Sequence, residues 1–186
     1  NHGLLAALSF NGNKTITTGG GGAILSNDPD LAAQAKHLTT TAKMAHKWEY
    51  RHDRVGYNYR LPNINAALGC AQMEQLPRFL VQKRRLAQTY ADAFAHVDGI
   101  RFFTEPEFAK SNYWLNVLLL DTEAAGLRDD LLKATNDSGY MTRPAWTPLH
   151  QLPMYKDNPK MDLSVAEDLY QRIINIPSSP GLTEAA

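Results

Sequence analysis

Lys14 stands in the stretch "LSFNGNKTITTGGGG", between a small polar turn and a β-branched run that ends in glycines 19–22. A primary amine placed there has three chemistries open to it. It can grip a phosphate, bond covalently to a carbonyl cofactor, or stay solvated beside a strand. The phosphate reading fails on order. A P-loop has its glycines before the lysine and a helix after it, whereas here the glycines follow. A dinucleotide fingerprint needs spaced glycines at a strand-to-helix turn, which an unbroken run does not supply. The solvated reading is the default for any single lysine. Against it stands the context: Ser9 closes an apolar segment just upstream, and an amine on a turn beside buried strands can lose part of its hydration. Desolvation favours the neutral, nucleophilic amine.

Other reactive side chains are weaker candidates. The histidines are His2, His37, His46, His52, His96 and His150. They show no i, i+4 pair with a third ligand, so no zinc or other metal site is expected. Lys43, Lys47, Arg51 and Arg54 could steer a diphosphate, or form a solvated loop. Arg143, Trp146 and His150 lie in "TRPAWTPLH". A guanidinium suits a diphosphate or a carboxylate, and Trp146 could pack on a sugar or base. The alternative is a proline-rich connection held by its aromatics. Tyr113 and Trp114 read as strand core, Cys70 and Met73 as helix packing, and Asp129 and Asp130 as helix surface.

These residues need elements to position them. "LLAALSF" predicts a short buried strand, and "TITTGGGGAILS" a β-hairpin with a glycine turn. Asp28 and Pro29 predict a helix start, as N-cap and first helical residue. Residues 39–61 are long, polar, aromatic and basic without a clean period, which predicts a functional loop. Asn63 opens a helix, and Pro77 predicts a break and a new start. Leu80, Ala87, Ala91, Phe94 and Val97 then mark an apolar stripe at helical spacing. "DGIRFFTEP" and "SNYWLNVLLLD" predict strands, "GLRDDLLKATNDSGY" a helix ending near Gly139, and "LSVAEDLYQRIINIP" a helix leading into a strand. Strand–helix alternation followed by a compact α+β piece gives an α/β class.

Bulk properties exclude several functions. The 186 residues carry 19 Lys plus Arg against 19 Asp plus Glu. That balance gives no bulk attraction to nucleic acid or an anionic membrane. One cysteine fits a reducing compartment, no apolar run reaches a membrane span, and no signal peptide is seen. Both ends read as cut, Thr183 and Glu184 resembling the start of a missing helix.

"SFNGNKTITTGGGGAILSND" followed by "GYNYRLPNINAALGCAQMEQL" resembles the DegT/DnrJ/EryC1/StrS family of sugar aminotransferases. The family pattern is Ser-Phe, a lysine, Thr-Thr-Gly-x-Gly-Gly, then Gly-x-Asn-Tyr-Arg and an Ala-Ala helix. Both blocks match in order and spacing, and the likeness covers essentially the whole chain. It implies pyridoxal 5'-phosphate (PLP) as cofactor and fold type I. Residues 1–62 would then be the C-terminal part of the large PLP-binding α/β domain. Residues 63–97 would be bridging helices, and 98–186 a small α+β domain.

The resemblance implies roles residue by residue. Lys14 would be the Schiff-base lysine and acid/base. Ser9 would bond the cofactor phosphate, and Asn58 would reach a neighbouring subunit's phosphate. Tyr59 and Arg60 belong to the same crossing loop, and Arg143, Trp146 and His150 would border the substrate entrance. It further implies a cytoplasmic homodimer with a cross-subunit active site. Its substrates would be a nucleotide-linked keto sugar and an amino-acid donor, expected to be glutamate. Gly20 replaces the family's usual glutamate, which points to 4-keto-6-deoxy N-acetyl sugars. The family's ring stacker, its pyridine-facing Asp and its Gly-Thr phosphate turn precede the lysine and are absent from this stretch. The chain is thus expected to be a fragment that is inactive alone and prone to oligomerise or swap. A sugar dehydratase of the same superfamily, which has histidine in place of the lysine, and a non-catalytic sugar-nucleotide-binding or assembly domain are the alternatives.

Overall fold

A computed structural model describes residues 3–183; the readings placed on His2 and Glu184 lie outside the described residues. The chain divides into two compact units, Asn1–Pro77 and Arg78–Ala186.

In the first unit, strand β1 (Ala6–Ser9) pairs antiparallel with β2 (Gly22–Leu25), Ser9 opposite Gly22. The predicted hairpin is therefore corrected. The Thr-rich residues 15–18 are not its first strand; they belong to the loop that joins β1 to β2. Their β-branched pattern is overridden by bonds back to Phe10, whose carbonyl accepts from Thr18 N–H and from Thr17 Oγ1, each at 3.0 Å. Phe10 N–H in turn donates to Gly21 O at 3.0 Å, closing the loop at its base. Two glycines are fixed by close approach. A Cβ on Gly22 would stand 2.4 Å from Leu8 O, and one on Gly21, whose φ is +97°, would stand 2.7 Å from Leu61 Cδ1. The ribbon is open to solvent rather than buried: Leu8 is 46% and Ile24 52% exposed. Two strands alone have no third layer to cover them.

Helix α1 (Pro29–Thr39) starts as expected. Asp28 Oδ1 accepts from the N–H groups of Asp30 and Leu31 at 2.9 and 3.0 Å. Residues 40–62 are irregular, with isolated bridges Thr40–Asn58 and Lys43–His52. Helix α2 (Asn63–Phe94) runs through Pro77 without a break, correcting the predicted stop. A proline here deprives the Met73 carbonyl of its donor. Both residues are exposed, so water is at hand for that carbonyl.

The second unit is built on an antiparallel sheet in the order β3 (Ile100–Phe102), β4 (Asn116–Leu120), β6 (Ile173–Ile176), β5 (Arg143–Pro144). Helices α3 (Arg128–Asp137) and α4 (Ser164–Arg172) complete it. Alternate residues Leu118, Leu120, Ile174 and Ile176 join Phe102 and Ala87 of α2 in one core. Ala91 and Phe94 of the predicted stripe pack on its margin. Tyr113 packs there as well but precedes β4 at φ +47° rather than lying in it. Ser111 Oγ accepts from its N–H at 2.9 Å and stabilises that bend. Trp114 also precedes the strand and stacks on Trp146 instead.

Candidate active site

Lys14 and Ser9 meet at one short turn. Lys14 N–H donates to Asn11 O at 3.1 Å, and Asn11 N–H donates to Ser9 Oγ at 3.4 Å. Strand pairing fixes the Ser9 end, and the Thr17 and Thr18 bonds to Phe10 fix the other. The amine-bearing residue is half-buried and the hydroxyl exposed. Beside Lys14, Thr15 Oγ1 is buried without a hydrogen-bond partner. A buried hydroxyl left in that state calls for an acceptor or donor. One amine, one exposed hydroxyl and one unpaired buried hydroxyl on a single loop suit an aldehyde that also carries a phosphate. By this donor set, the residues present fit PLP.

Asn58, Tyr59 and Arg60 follow one another on the limb that returns to α1. The last carbonyls of a helix have no intrahelical donors. Here the returning limb supplies them: Tyr57 N–H donates to Leu38 O at 2.7 Å, and Tyr59 N–H to Thr39 O at 2.9 Å. Arg60 Nη2 donates to Thr40 O at 3.2 Å, and its Nη1 to Asn58 Oδ1 at 3.4 Å. Tyr57 and Tyr59 stack with centroids 5.3 Å apart. Tyr59 and Arg60 also line a groove of about 690 Å³ with Leu8, Gly21, Gly22 and Asn65. Asn58, Ser9 and Lys14 are not among its lining residues.

Part of the basic loop is engaged internally. The Lys43 ammonium sits 3.9 Å from the Tyr50 ring centre, and Arg51 Nε pairs with Glu49 at 2.5 Å. His46 Nδ1 accepts from Glu49 N–H at 3.0 Å. His37 Nε2 lies 2.6 Å from Asp53 Oδ1, and this bond holds the Asp53 carboxyl below its ordinary range, with Arg54 adding to the effect. Neither His37 nor Asp53 stands out in sequence, because nothing local pairs residues 16 positions apart.

The remaining candidates belong to the second unit. Arg143 Nη1 donates to Asn136 Oδ1 at 2.9 Å and to Thr142 O at 2.7 Å. Trp146 is 68% exposed and stacks on Trp114 at 6.2 Å. His150 Nε2 lies 2.6 Å from Glu167 Oε1 of α4, a partner that the sequence does not reveal. Among the described residues no group of three or more His, Cys, Asp or Glu side chains could hold a metal ion, and no helix is long and apolar enough to cross a membrane.

Over residues 1–186 the chain matches the DegT/DnrJ/EryC1/StrS aminotransferase family, and it belongs to that family. It is 38% identical over 181 residues to a GDP-perosamine synthase of Escherichia coli O157:H7, covering 97% of this chain and 48% of that protein. Among solved structures it resembles Helicobacter pylori PseC, an aminotransferase involved in the biosynthesis of pseudoaminic acid. That likeness has TM-score 0.89 and 25% identity, covering 96% of this chain and 49% of the other. The aminotransferase TlmJ of Streptoalloteichus hindustanus superposes with TM-score 0.88 and 27% identity, over 97% and 48% of the two chains. The chain thus spans about half the length of the relatives it matches. Its fold is the α/β fold of the PLP-dependent sugar aminotransferases.

Proposed function

We propose that this chain is the lysine-bearing half of a PLP-dependent aminotransferase. The parent moves an amino group from a donor, glutamate by preference, to a nucleotide-linked keto sugar of the 4-keto-6-deoxy N-acetyl type. The observation that carries the reading is the joint placement of Lys14 and Ser9 on one strand-closed turn, within a chain that matches the aminotransferase family from end to end.

When bound, the cofactor supplies an electron sink for the carbon that loses its proton. Lys14 Nζ holds the cofactor through its aldehyde carbon. With the cofactor bound, the same Nζ would act as base and acid, moving a proton between the donor's α-carbon and the cofactor's aldehyde carbon. Ser9 Oγ donates to the phosphate, and Asn58 does so across a homodimer interface. Tyr59 and Arg60 sit on the crossing limb next to the substrate, where a guanidinium suits a diphosphate. Arg143, Trp146 and His150 border the substrate entrance: Trp146 offers an exposed face for the sugar or base, and the other two are held by Asn136 and Glu167. Residues 1–62, 63–97 and 98–186 serve as the end of the large domain, the bridge and the small domain. The parent works in the cytoplasm, and the isolated 186-residue chain has no turnover of its own.

Reductive trapping tests the reading. The full-length parent is incubated with PLP, treated with borohydride and digested. A pyridoxyl mass on the peptide containing Lys14, absent in Lys14→Ala together with turnover, is the expected result. A label on another side chain, or none in wild type, overturns it.

A further inference from the structure

The geometry points to His37 and Asp53 as positioning residues: their bond holds the limb bearing Asn58 at the angle from which it grips the cofactor phosphate. The proposal rests on the reading of Asn58 given above.

The argument starts at the end of α1. The last turn of a helix carries partial negative charge and unpaired carbonyls. Lys36 and His37 occupy that turn, where positive side chains are favoured. The chain then reverses sharply. Thr41 and Ala42 adopt φ of +73° and +49°, and Ala42 is fully buried. Ala42 N–H caps His37 O at 2.8 Å, and Thr41 O lies 2.7 Å from His52 Nδ1. The loop returns so that Tyr57 and Tyr59 donate to Leu38 and Thr39 carbonyls, flanking Asn58 on both sides.

Backbone bonds at the base fix where the limb leaves α1. The outer turn is closed on itself by Met44 N–H to Arg51 O at 2.8 Å and Asp53 N–H to Ala42 O at 3.3 Å. The His37–Asp53 bond is the side-chain tie between α1 and this closed turn, which precedes Gly56. Its 2.6 Å length and the depressed Asp53 carboxyl fit a charge-assisted bond. Arg54 is the further charged group acting on Asp53. Asn58 lies within hydrogen-bond reach of Arg60 but has no direct tie to His37 or Asp53. The pair therefore acts through the loop and not on the reacting atoms.

The test compares two probes on the full-length parent: PLP, and pyridoxal, which lacks the phosphate. Binding is titrated by absorbance in wild type, His37→Ala, Asp53→Ala and His37→Gln, whose amide can still donate to Asp53. The expected result is PLP affinity about tenfold weaker in both alanine variants, the scale of one charge-assisted hydrogen bond. Pyridoxal affinity stays unchanged, and His37→Gln recovers most of the PLP loss. Unchanged PLP affinity overturns the proposal, and so does parallel weakening of PLP and pyridoxal, which marks general loss of structure. Should the alanine variants fail to fold, Asp53→Asn keeps an acceptor without the charge and is expected to weaken PLP about threefold, pyridoxal again unchanged. Wild type that binds neither probe overturns the aminotransferase reading as well; wild type that binds both, with variants indistinguishable from it, overturns the positioning role alone.

Discussion

Lys83 Nζ lies 2.6 Å from the carbonyl oxygen of Ser178, a residue 95 positions later in the chain. Lys83 is only 3% exposed, and a second carbonyl, that of Trp114, lies at 3.5 Å. Ser178 Oγ donates to the same Trp114 oxygen at 2.9 Å. A helix lysine thus ties the segment entering β4 to the segment leaving β6. Burial pushes the amine pKa below 10.5. Lys83→Ala should remove the tie and leave a cavity, destabilising the fold by roughly 2–3 kcal/mol. Lys83→Met, which refills the space, should lose less. Urea denaturation checks both. The sign with pH is also fixed: a lysine whose folded pKa is lowered carries a charge penalty at low pH. Wild type should gain stability relative to Lys83→Met as pH rises towards the unfolded value.

Arg84 and Glu105 form a two-pronged pair, with Arg84 Nη1 to Glu105 Oε2 at 3.1 Å and Nη2 to Oε1 as the second prong. The same carboxylate accepts from Ser111 N–H, and Arg84 also donates to Ser111 O at 2.6 Å. Hydrogen bonds from Arg84, then from Ser111, hold the Glu105 carboxyl below 4.5. A depressed carboxylate contributes stability that is present above its unfolded pKa and is lost as pH falls through the folded one. Glu105→Gln should therefore flatten the acid side of the thermal-midpoint profile while changing its slope little near neutrality. A mutant slope equal to wild type between about pH 3 and 5 contradicts this.

Gly56 lies against the reversed turn of the crossing loop. An added Cβ would stand 2.4 Å from Thr41 C and 2.5 Å from Ala42 N, both backbone atoms that cannot swing aside. Gly56→Ala should force the two limbs apart, at about 1–3 kcal/mol of local strain. Limited proteolysis should then cut within residues 40–58 several-fold faster than in wild type, with little change in the second unit.

Trp146 is largely solvent-facing, so Trp146→Ala should shift stability by under about 1 kcal/mol. In the full-length parent it should raise KM for the sugar nucleotide several-fold with kcat nearly unchanged, the signature of lost uniform binding. An effect on kcat alone would place the indole elsewhere in the cycle.

The sequence makes some of this architecture plain and hides the rest for physical reasons. Asp28 and Pro29 announce α1 because capping is a local event. The apolar runs in "NVLLL" and "IINI" likewise announce strands β4 and β6. Thr17 and Thr18 mislead, since their β-branched pattern yields to a hydroxyl bond and an amide bond aimed at Phe10. Pro77 misleads because the penalty of a proline inside a helix is bearable where water replaces the missing donor. Lys14 and Ser9 are legible as neighbours on a turn. The bond between His37 and Asp53, the glutamate beside His150 and the burial of Lys83 are set by contacts between distant segments, which no local spacing encodes.

Gly20 differs from its flanking glycines. Nothing lies within 4 Å of where its Cβ would stand, and its φ is ordinary, while Gly21 and Gly22 are hemmed in by Leu61 and Leu8. Gly20 also lines the 690 Å³ groove beside Tyr59 and Arg60. Within residues 20–22, then, one codon is free to drift and two are not. A change at that codon reshapes the groove wall while the ribbon keeps its path, so evolution or an engineer can retune what the groove admits without disturbing the loop that carries Lys14.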